Sequence, residues 1–323
     1  MSRAMVAILV VLPLLALSAH ANGTPRGASL PRSALLSARR WLLAKVQPRL
    51  TTLEPGKLKV CLYAGFPPAA ILFPNGTWGG EEVQHLTSFA KAHNLALTVV
   101  EVPSFKGIWL QPGLGNCDLA AGGISITPSR VTELGTRASF STHYRADARA
   151  LAVRSVTASG APRKVVINGP KDLAGRVILV TNGSTAETDL KARLKAAGVT
   201  ATLHYTNSED KAGADVAAGT VLKGSKEPVF AYATGAEGAL ALANKLKGRV
   251  AAAWVHCLML ADGTEVPEHL GYVARTPTTS NKRDTSLLDA LNAYVVNTKG
   301  GPQGKWPSDF IKCPPAQNGT RRF

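Results

Sequence analysis

Cysteine, aromatic residues and acidic residues are all scarce in this chain, and each scarcity closes a route. Four cysteines among 323 residues are too few for a disulfide-built scaffold, and neither CxxC nor HExxH occurs to hold zinc. His85 and His93 lie eight apart on an expected helix with no third ligand at usable spacing. They read as surface residues, and neither a metal nor a cofactor is expected. Asp and Glu number 21 against 37 Lys and Arg, a formal charge of +16 that first suggests an anionic partner. The basic residues are nevertheless dispersed and cluster at Arg39-Arg40 and Arg321-Arg322, at the two ends. A nucleic-acid groove needs clustered charge, preferably with aromatics along it, so nucleic acid is not an expected partner. A glycine-rich phosphate loop, a nucleophile elbow and a kinase motif are missing as well. Past residue 21 no apolar run is long enough to span a bilayer.

What is present suits a globular protein that buries real cores: 45% hydrophobic residues, 18% charged, and length for two ordinary domains. The N-terminus has the pattern of an export signal. Arg3 supplies a basic start, Val6 to Leu17 is apolar and uncharged, and Ala19-His20-Ala21 gives the small-x-small site expected before cleavage. About a dozen apolar residues fall short of the roughly 20 needed to cross a membrane, so cleavage near Ala21 and a secreted or periplasmic location are expected. Asn22-Gly-Thr24, Asn75-Gly-Thr77, Asn182-Gly-Ser184 and Asn318-Gly-Thr320 match the glycosylation acceptor pattern, though Asn-Gly is equally plain turn chemistry.

Residues 22–56, punctuated by Pro25, Pro31, Pro48 and Pro55, read as an extension with a short basic helix over Ser33 to Val46. From Lys57 strands and helices alternate. Strands are expected at Leu58 to Tyr63, Leu95 to Val102, Asp118 to Ser125 and Arg149 to Arg154, with a helix over Glu81 to Asn94. The rhythm restarts with a strand at Arg176 to Thr181, a helix over Ala186 to Ala197 closed by Gly198, and strands at Thr200 to Tyr205 and Val250 to His256. Residues 208–248 are rich in Gly, Ala and Lys and have no clear pattern. Asp284 can cap a last helix carrying Leu287, Leu288, Leu291, Tyr294 and Val295. The expectation is an α/β fold of two lobes with parallel-rich sheets: 57–154, then 155–262, with 263–313 returning to the first and 314–323 a tail.

One stretch carries more chemistry than the rest, Cys117-Asp-Leu-Ala-Ala-Gly-Gly-Ile-Ser-Ile-Thr-Pro-Ser-Arg130. A strand runs into a Gly-Gly bend, and Thr127 can then cap a helix with Pro128 at its first position. Free N–H groups at such a start attract an anion, and Arg130 can add a bidentate clamp for a carboxylate. Arg130 fits a surface ion pair equally well. Gly183-Ser184-Thr185-Ala186-Glu187 repeats the device, with Ser184 and Glu187 spaced as a capping box. Glu187 is then either a cap or an acid over a cleft, its pKa raised by burial.

The strand at Leu58, the bend Phe66-Pro67-Pro68, the Gly-Gly-Ile-Ser-Ile-Thr-Pro-Ser-Arg run and the Gly-Ser-Thr-Ala-Glu run occur in an order that resembles the family 3 extracellular solute-binding proteins. These are periplasmic receptors of polar amino-acid transporters. The resemblance implies a two-lobed clamshell, the type II periplasmic-binding-protein fold, closing on one small molecule that is handed to a membrane transporter. It implies that Phe66 packs on the ligand, that Arg130 and the Ser125–Thr127 region bind its carboxylate, and that Ser184 and Thr185 contribute from the other lobe. The ligand's ammonium would meet the end of the strand finishing at His256, where the family commonly has Asp; His256 reads equally as a strand histidine. Hinge motion is expected near Arg154 and Gly271. Cyclohexadienyl dehydratases share the fold, and similarity to them implies Glu187 as a general acid. Cys61 and Cys117 lie on strands of one lobe that should be neighbours and are expected to pair, leaving Cys257 with Cys313.

Overall fold

A computed structural model describes residues 50–157, 159–279 and 282–298. The expected signal segment, the basic arm helix and Cys313 lie outside the described residues. No helix among the described residues is long and apolar enough to cross a membrane.

The first lobe begins with β1 (Lys57–Leu62), α1 (Glu81–Ala92), β2 (Ala96–Glu101), β3 (Leu119–Ala120), α2 (Pro128–Leu134) and β4 (Ala138–Phe140). The chain leaves this lobe through β5 (Arg145–Asp147) and enters β6 (Arg149–Arg154), β7 (Val177–Thr181), α3 (Thr185–Ala197), β8 (Thr202–Thr206), α4 (Glu209–Ala218), β9 (Val229–Gly235), α5 (Ala236–Lys245) and β10 (Val250–His256). It returns along β11 (Glu268–Leu270) to β12 (Val273–Arg275) and ends in α6 (Ser286–Thr298). The two large sheets are five-stranded, ordered β2-β1-β3-β12-β4 and β8-β7-β9-β6-β10. In the first, β1 is parallel to β2 and β3 while β12 is antiparallel to its neighbours. In the second, β7 is parallel to β8 and β9 while β6 runs against β9 and β10.

Strand alternation sorts side chains onto both faces of each sheet. Leu58, Val60 and Leu62 meet Leu86 and Phe89 of α1 and Leu287 and Leu291 of α6, while Cys61 faces the other way with Ile108 and Ile124. In the second lobe Ala150 and Ala152 pack toward α4 and α5, and Leu151 and Val153 toward Leu190 and Leu194 of α3. Cys61 and Cys117 form the expected disulfide, Cys61 within β1 and Cys117 two residues before β3. Gly80 starts α1 at φ 103°, and a Cβ there would stand 2.6 Å from the Ala69 carbonyl oxygen, so the entry to this helix admits glycine. Asp284 caps α6 by accepting from the Ser286 N–H at 2.9 Å.

Several sequence expectations need correction. Residues 149–154, read as the last strand of the first lobe, lie in the second sheet between β9 and β10. Residues 208–248 resolve into α4, β9 and α5; small residues let these helices sit close on the sheet, which is why no bold apolar pattern marks them. The strand expected from Asp118 to Ser125 pairs over Leu119–Ala120, then bends at Gly122 and Gly123 with φ 109° and 72°. His85 is fully buried, bonded to the Tyr272 hydroxyl at 2.7 Å, and burial lowers its pKa to about 4. The crossing between lobes is a ribbon: β5 pairs antiparallel with β11, Asp147 opposite Glu268 and Arg145 opposite Leu270. It includes the neighbourhood of Gly271 but not Arg154.

Candidate functional site

Both lobes turn helix starts toward the ribbon. After β3, the Gly122 and Gly123 N–H groups donate to the Glu82 carboxylate at 2.7 and 2.8 Å, and the Tyr144 hydroxyl donates to it at 2.5 Å. Burial raises the Glu82 pKa, while these donors and Arg145 oppose the rise. The fixed bend delivers Ser125 and Thr127. Thr127 caps α2, accepting from the Arg130 N–H at 3.4 Å. Across the gap Ser184 caps α3, accepting from the Glu187 N–H at 3.2 Å.

Arg130 is 4% exposed and spans the gap. Its Nη1 donates to the Ser125 carbonyl at 3.0 Å and its Nη2 to the Gly183 carbonyl, on the other lobe, at 2.9 Å. The guanidinium lies 4.3 Å from the Trp109 ring centroid and 5.4 Å from that of Phe105. No carboxylate among the described residues is within ion-pair distance of it, and burial lowers its pKa to about 10 despite the pull of Glu268. An outer cavity of about 450 Å³ lies beside it, lined by Trp109, Thr127, Arg130, Gly183, Thr185 and Leu258 among others.

Glu268, on the ribbon, pinches the cleft. Its carboxylate accepts from the Ser125 hydroxyl of one lobe and from Thr185 Oγ1 of the other at 2.5 Å, and pairs with Arg149. Beyond the pinch an inner cavity of about 60 Å³ is lined by Phe66, Phe105, Asp147, Thr185, Glu209 and Glu237 among others. Two arginines stand in its wall. Arg145 pairs with Glu81 at 2.9 Å and with Glu237; Arg149 also reaches Asp147 at 3.4 Å. Residues 145, 147 and 149 are spaced two apart in extended chain, so one face carries all three charges.

The residues named from the sequence fall into groups. Ser125, Thr127, Arg130, Ser184 and Thr185 converge on the cleft, and Phe66 lines its inner cavity. His256 stands apart. The pairing of β10 with β6 breaks between Ala253 and His256, where Trp254 adopts φ 48°. The imidazole is held between the Asp189 carboxylate at 2.8 Å and the Trp254 carbonyl at 2.6 Å, and it lines neither cavity. β9 of the second lobe also ends in the cleft, and its Thr234 and Gly235 carry no charge. Glu187 acts as a cap: it accepts from the Gly183 N–H at 2.7 Å and binds Lys191 and Tyr205. Burial tends to raise its pKa, but these donors outweigh burial and leave it lowered, the wrong direction for a general acid. Glu82, Asp147, Glu209, Glu237 and Glu268 were missed. The alternation Arg145-x-Asp147-x-Arg149 was the one signal that pointed to this ribbon.

Residues 58–301 match the family model of bacterial extracellular solute-binding proteins, family 3. The chain belongs to this family. No curated protein matches the sequence. Among solved structures, an ancestral arginine-binding protein bound to arginine is 24% identical, covering 76% of this chain and 92% of its own at a TM-score of 0.59. The arginine-bound truncated arginine-binding protein of T. maritima is 20% identical, covering 75% and 96% at 0.57. An ancestral amino acid-binding protein described as a precursor of cyclohexadienyl dehydratase is 22% identical, covering 76% and 90% at 0.58. These likenesses show the two-lobed fold of family 3 solute-binding proteins, with the cleft between the lobes.

Proposed function

We propose that this family 3 protein captures a small amino-acid-like solute by its carboxylate in the interlobe cleft. The observation that carries the reading is Arg130: a buried guanidinium at the cleft, held by two carbonyls and by no carboxylate among the described residues. A carbonyl is a weaker partner for a guanidinium than a carboxylate is, so an entering carboxylate gains a charge-assisted bond on exchange. The hydroxyls of Ser125, Thr127 and Thr185 surround the same space. Relatives of the same fold bind arginine and glutamine, both of which carry a carboxylate.

Capture proceeds by opening about the ribbon, entry, and closure that lets Arg130 tie both lobes through the ligand. The same reading makes the protein an exported one, cleaved near Ala21 and delivering its ligand to a membrane transporter. A thermal-shift panel of amino acids and other small carboxylates tests capture, since a ligand at 100 times its dissociation constant stabilises by about 2.7 kcal/mol. Arg130→Ala should abolish the shift; a shift that survives the substitution removes Arg130 from the site. N-terminal sequencing of the secreted protein tests the cleavage.

A further inference from the structure

The outer cavity has a wall that the second sheet does not carry. Leu258, Leu260, Ala261 and Asp262 line it from a hairpin, 258–266, that follows β10 and precedes the ribbon. The hairpin's own ladder is short, Leu258 opposite Val266 and Met259 opposite Glu265. Two strands of that size have little stability alone, so their place is set by what they are tied to. The ties run to α3. Asp189 and Arg193 stand one turn apart on that helix, 3% and 8% exposed, with Arg193 Nε donating to Asp189 Oδ1 at 3.0 Å. The same Oδ1 accepts from the Met259 N–H at 2.6 Å. Arg193 Nη2 donates to the Cys257 carbonyl at 2.6 Å, and Nη1 pairs with Glu265 at 2.8 Å. Both strands of the hairpin are thereby fastened to the helix whose first residue, Thr185, faces the cleft.

His256 completes the fastening. Its Nε2 lies 2.8 Å from Asp189 Oδ2 and its Nδ1 2.6 Å from the Trp254 carbonyl oxygen. Neither oxygen can donate and a neutral imidazole has one N–H, so both bonds are made only by the imidazolium. The Trp254 ring, its centroid 4.1 Å away, adds a face that attracts a cation. The charged groups around the imidazole are Asp189 and Arg193 of α3, Glu265 of the hairpin through Arg193, and Arg149, opposite His256 in the β6–β10 pairing. We propose that Asp189, Arg193 and His256 are positioning residues that hold hairpin 258–266 as the outer wall of the ligand cavity, and that this wall loosens when His256 loses its second proton. The wall's part in binding rests on the proposed capture of a solute at Arg130. A neutral ring sets a nitrogen lone pair against an oxygen. The repulsion falls either on the carboxylate that holds Met259 or on the turn at Trp254 that leads into the hairpin. Retention of a bound solute therefore weakens as pH rises.

The test joins hydrogen exchange of the amides in 257–266 with calorimetric titration by L-arginine and L-glutamine. Both are run on the full mature chain, wild type and His256→Gln, at pH 6 and pH 9. The variant side chain is uncharged and cannot donate in both directions. In wild type, protection of 257–266 corrected for the intrinsic exchange rate should fall roughly 10- to 100-fold from pH 6 to pH 9, the size expected for one hydrogen bond to a charged group. Affinity for whichever probe binds should fall in the same direction. His256→Gln should be weak at pH 6 already and change little, so that both readouts lose the wild-type pH dependence. Glu209, whose carboxyl burial pushes up to about 8, titrates in both proteins and cancels in the comparison. Should His256→Gln fail to fold, Asp189→Asn, which keeps the shape but removes the charge facing the imidazolium, should flatten the profile in its place. Hairpin protection independent of pH in wild type, or a profile that the substitution leaves intact, overturns the inference and leaves solute capture standing. Protection that falls as expected while the affinity profile is the same in both proteins overturns the wall's role in binding. No binding of either probe overturns amino-acid capture and the wall's role in it, and exchange alone then decides whether His256 clamps the hairpin.

Discussion

Glu209→Gln in the ligand-free protein should make stability less dependent on pH, and the size of the change follows from burial. The folded carboxyl titrates at about 8, and an unfolded glutamate titrates near its ordinary value of 4.5. Between those values the folded state holds a proton that the unfolded state has lost, so stability is highest below about pH 4.5 and falls as pH rises through 8. At pH 5 the loss is under about 1 kcal/mol, and at pH 8 it reaches about 4 kcal/mol. Glutamine has the shape of the protonated acid and does not ionise. The variant should therefore match wild type at pH 5 and exceed it by about 3–4 kcal/mol at pH 8. Glu82 and Glu268, whose pKa values burial also raises, are present in both proteins and cancel in the difference. Urea unfolding followed by tryptophan fluorescence at pH 5, 6.5 and 8 measures it. A variant destabilised equally at every pH would refute the reasoning, because it would mean that Glu209 acts through packing and not through a forced proton.

Three further outcomes are expected. Replacing Cys61 and Cys117 together by Ala opens a loop of 56 residues' separation and should lower stability by about 4 kcal/mol, read from the denaturant midpoint under oxidising conditions. Glu82→Ala removes the acceptor that the N–H groups of Gly122 and Gly123 and the Tyr144 hydroxyl share; it should cost about 2–4 kcal/mol and weaken ligand capture, which unfolding and titration of the same variant will show. Glu268→Ala removes the bridge between Ser125 and Thr185. Small-angle scattering should show a larger radius of gyration without ligand, and an unchanged radius would mean that the bridge does not hold the lobes together.

The legible parts of the fold were those with local causes. The Gly-Gly bend, the Thr127 and Ser184 caps, the Gly198 stop and the Asp284 cap each depend on residues within a few positions, and each appears where the sequence placed it. The site was half legible for the same reason. Arg130 and Thr185 sit on capped helix starts, whereas Glu209, at the start of α4, and Asp147 and Glu268, on the ribbon, come together from elements distant in sequence. His256 shows the limit: its strand was read correctly, but sequence spacing does not reveal that the irregularity near Trp254 turns the imidazole onto Asp189. The middle of the second lobe was obscure because alanine and glycine supply its close packing and leave little hydrophobic contrast.

The β5–β11 ribbon joins the lobes and also carries Arg145, Asp147 and Glu268, with Arg149 two residues beyond it. The segment that joins the lobes is thus also a charged part of the cleft wall. A solute that changes its charge pairing acts on that segment itself, without a relay through either lobe. Occupancy and closure become two descriptions of one rearrangement of charge, and substitutions on the ribbon should shift both by the same factor.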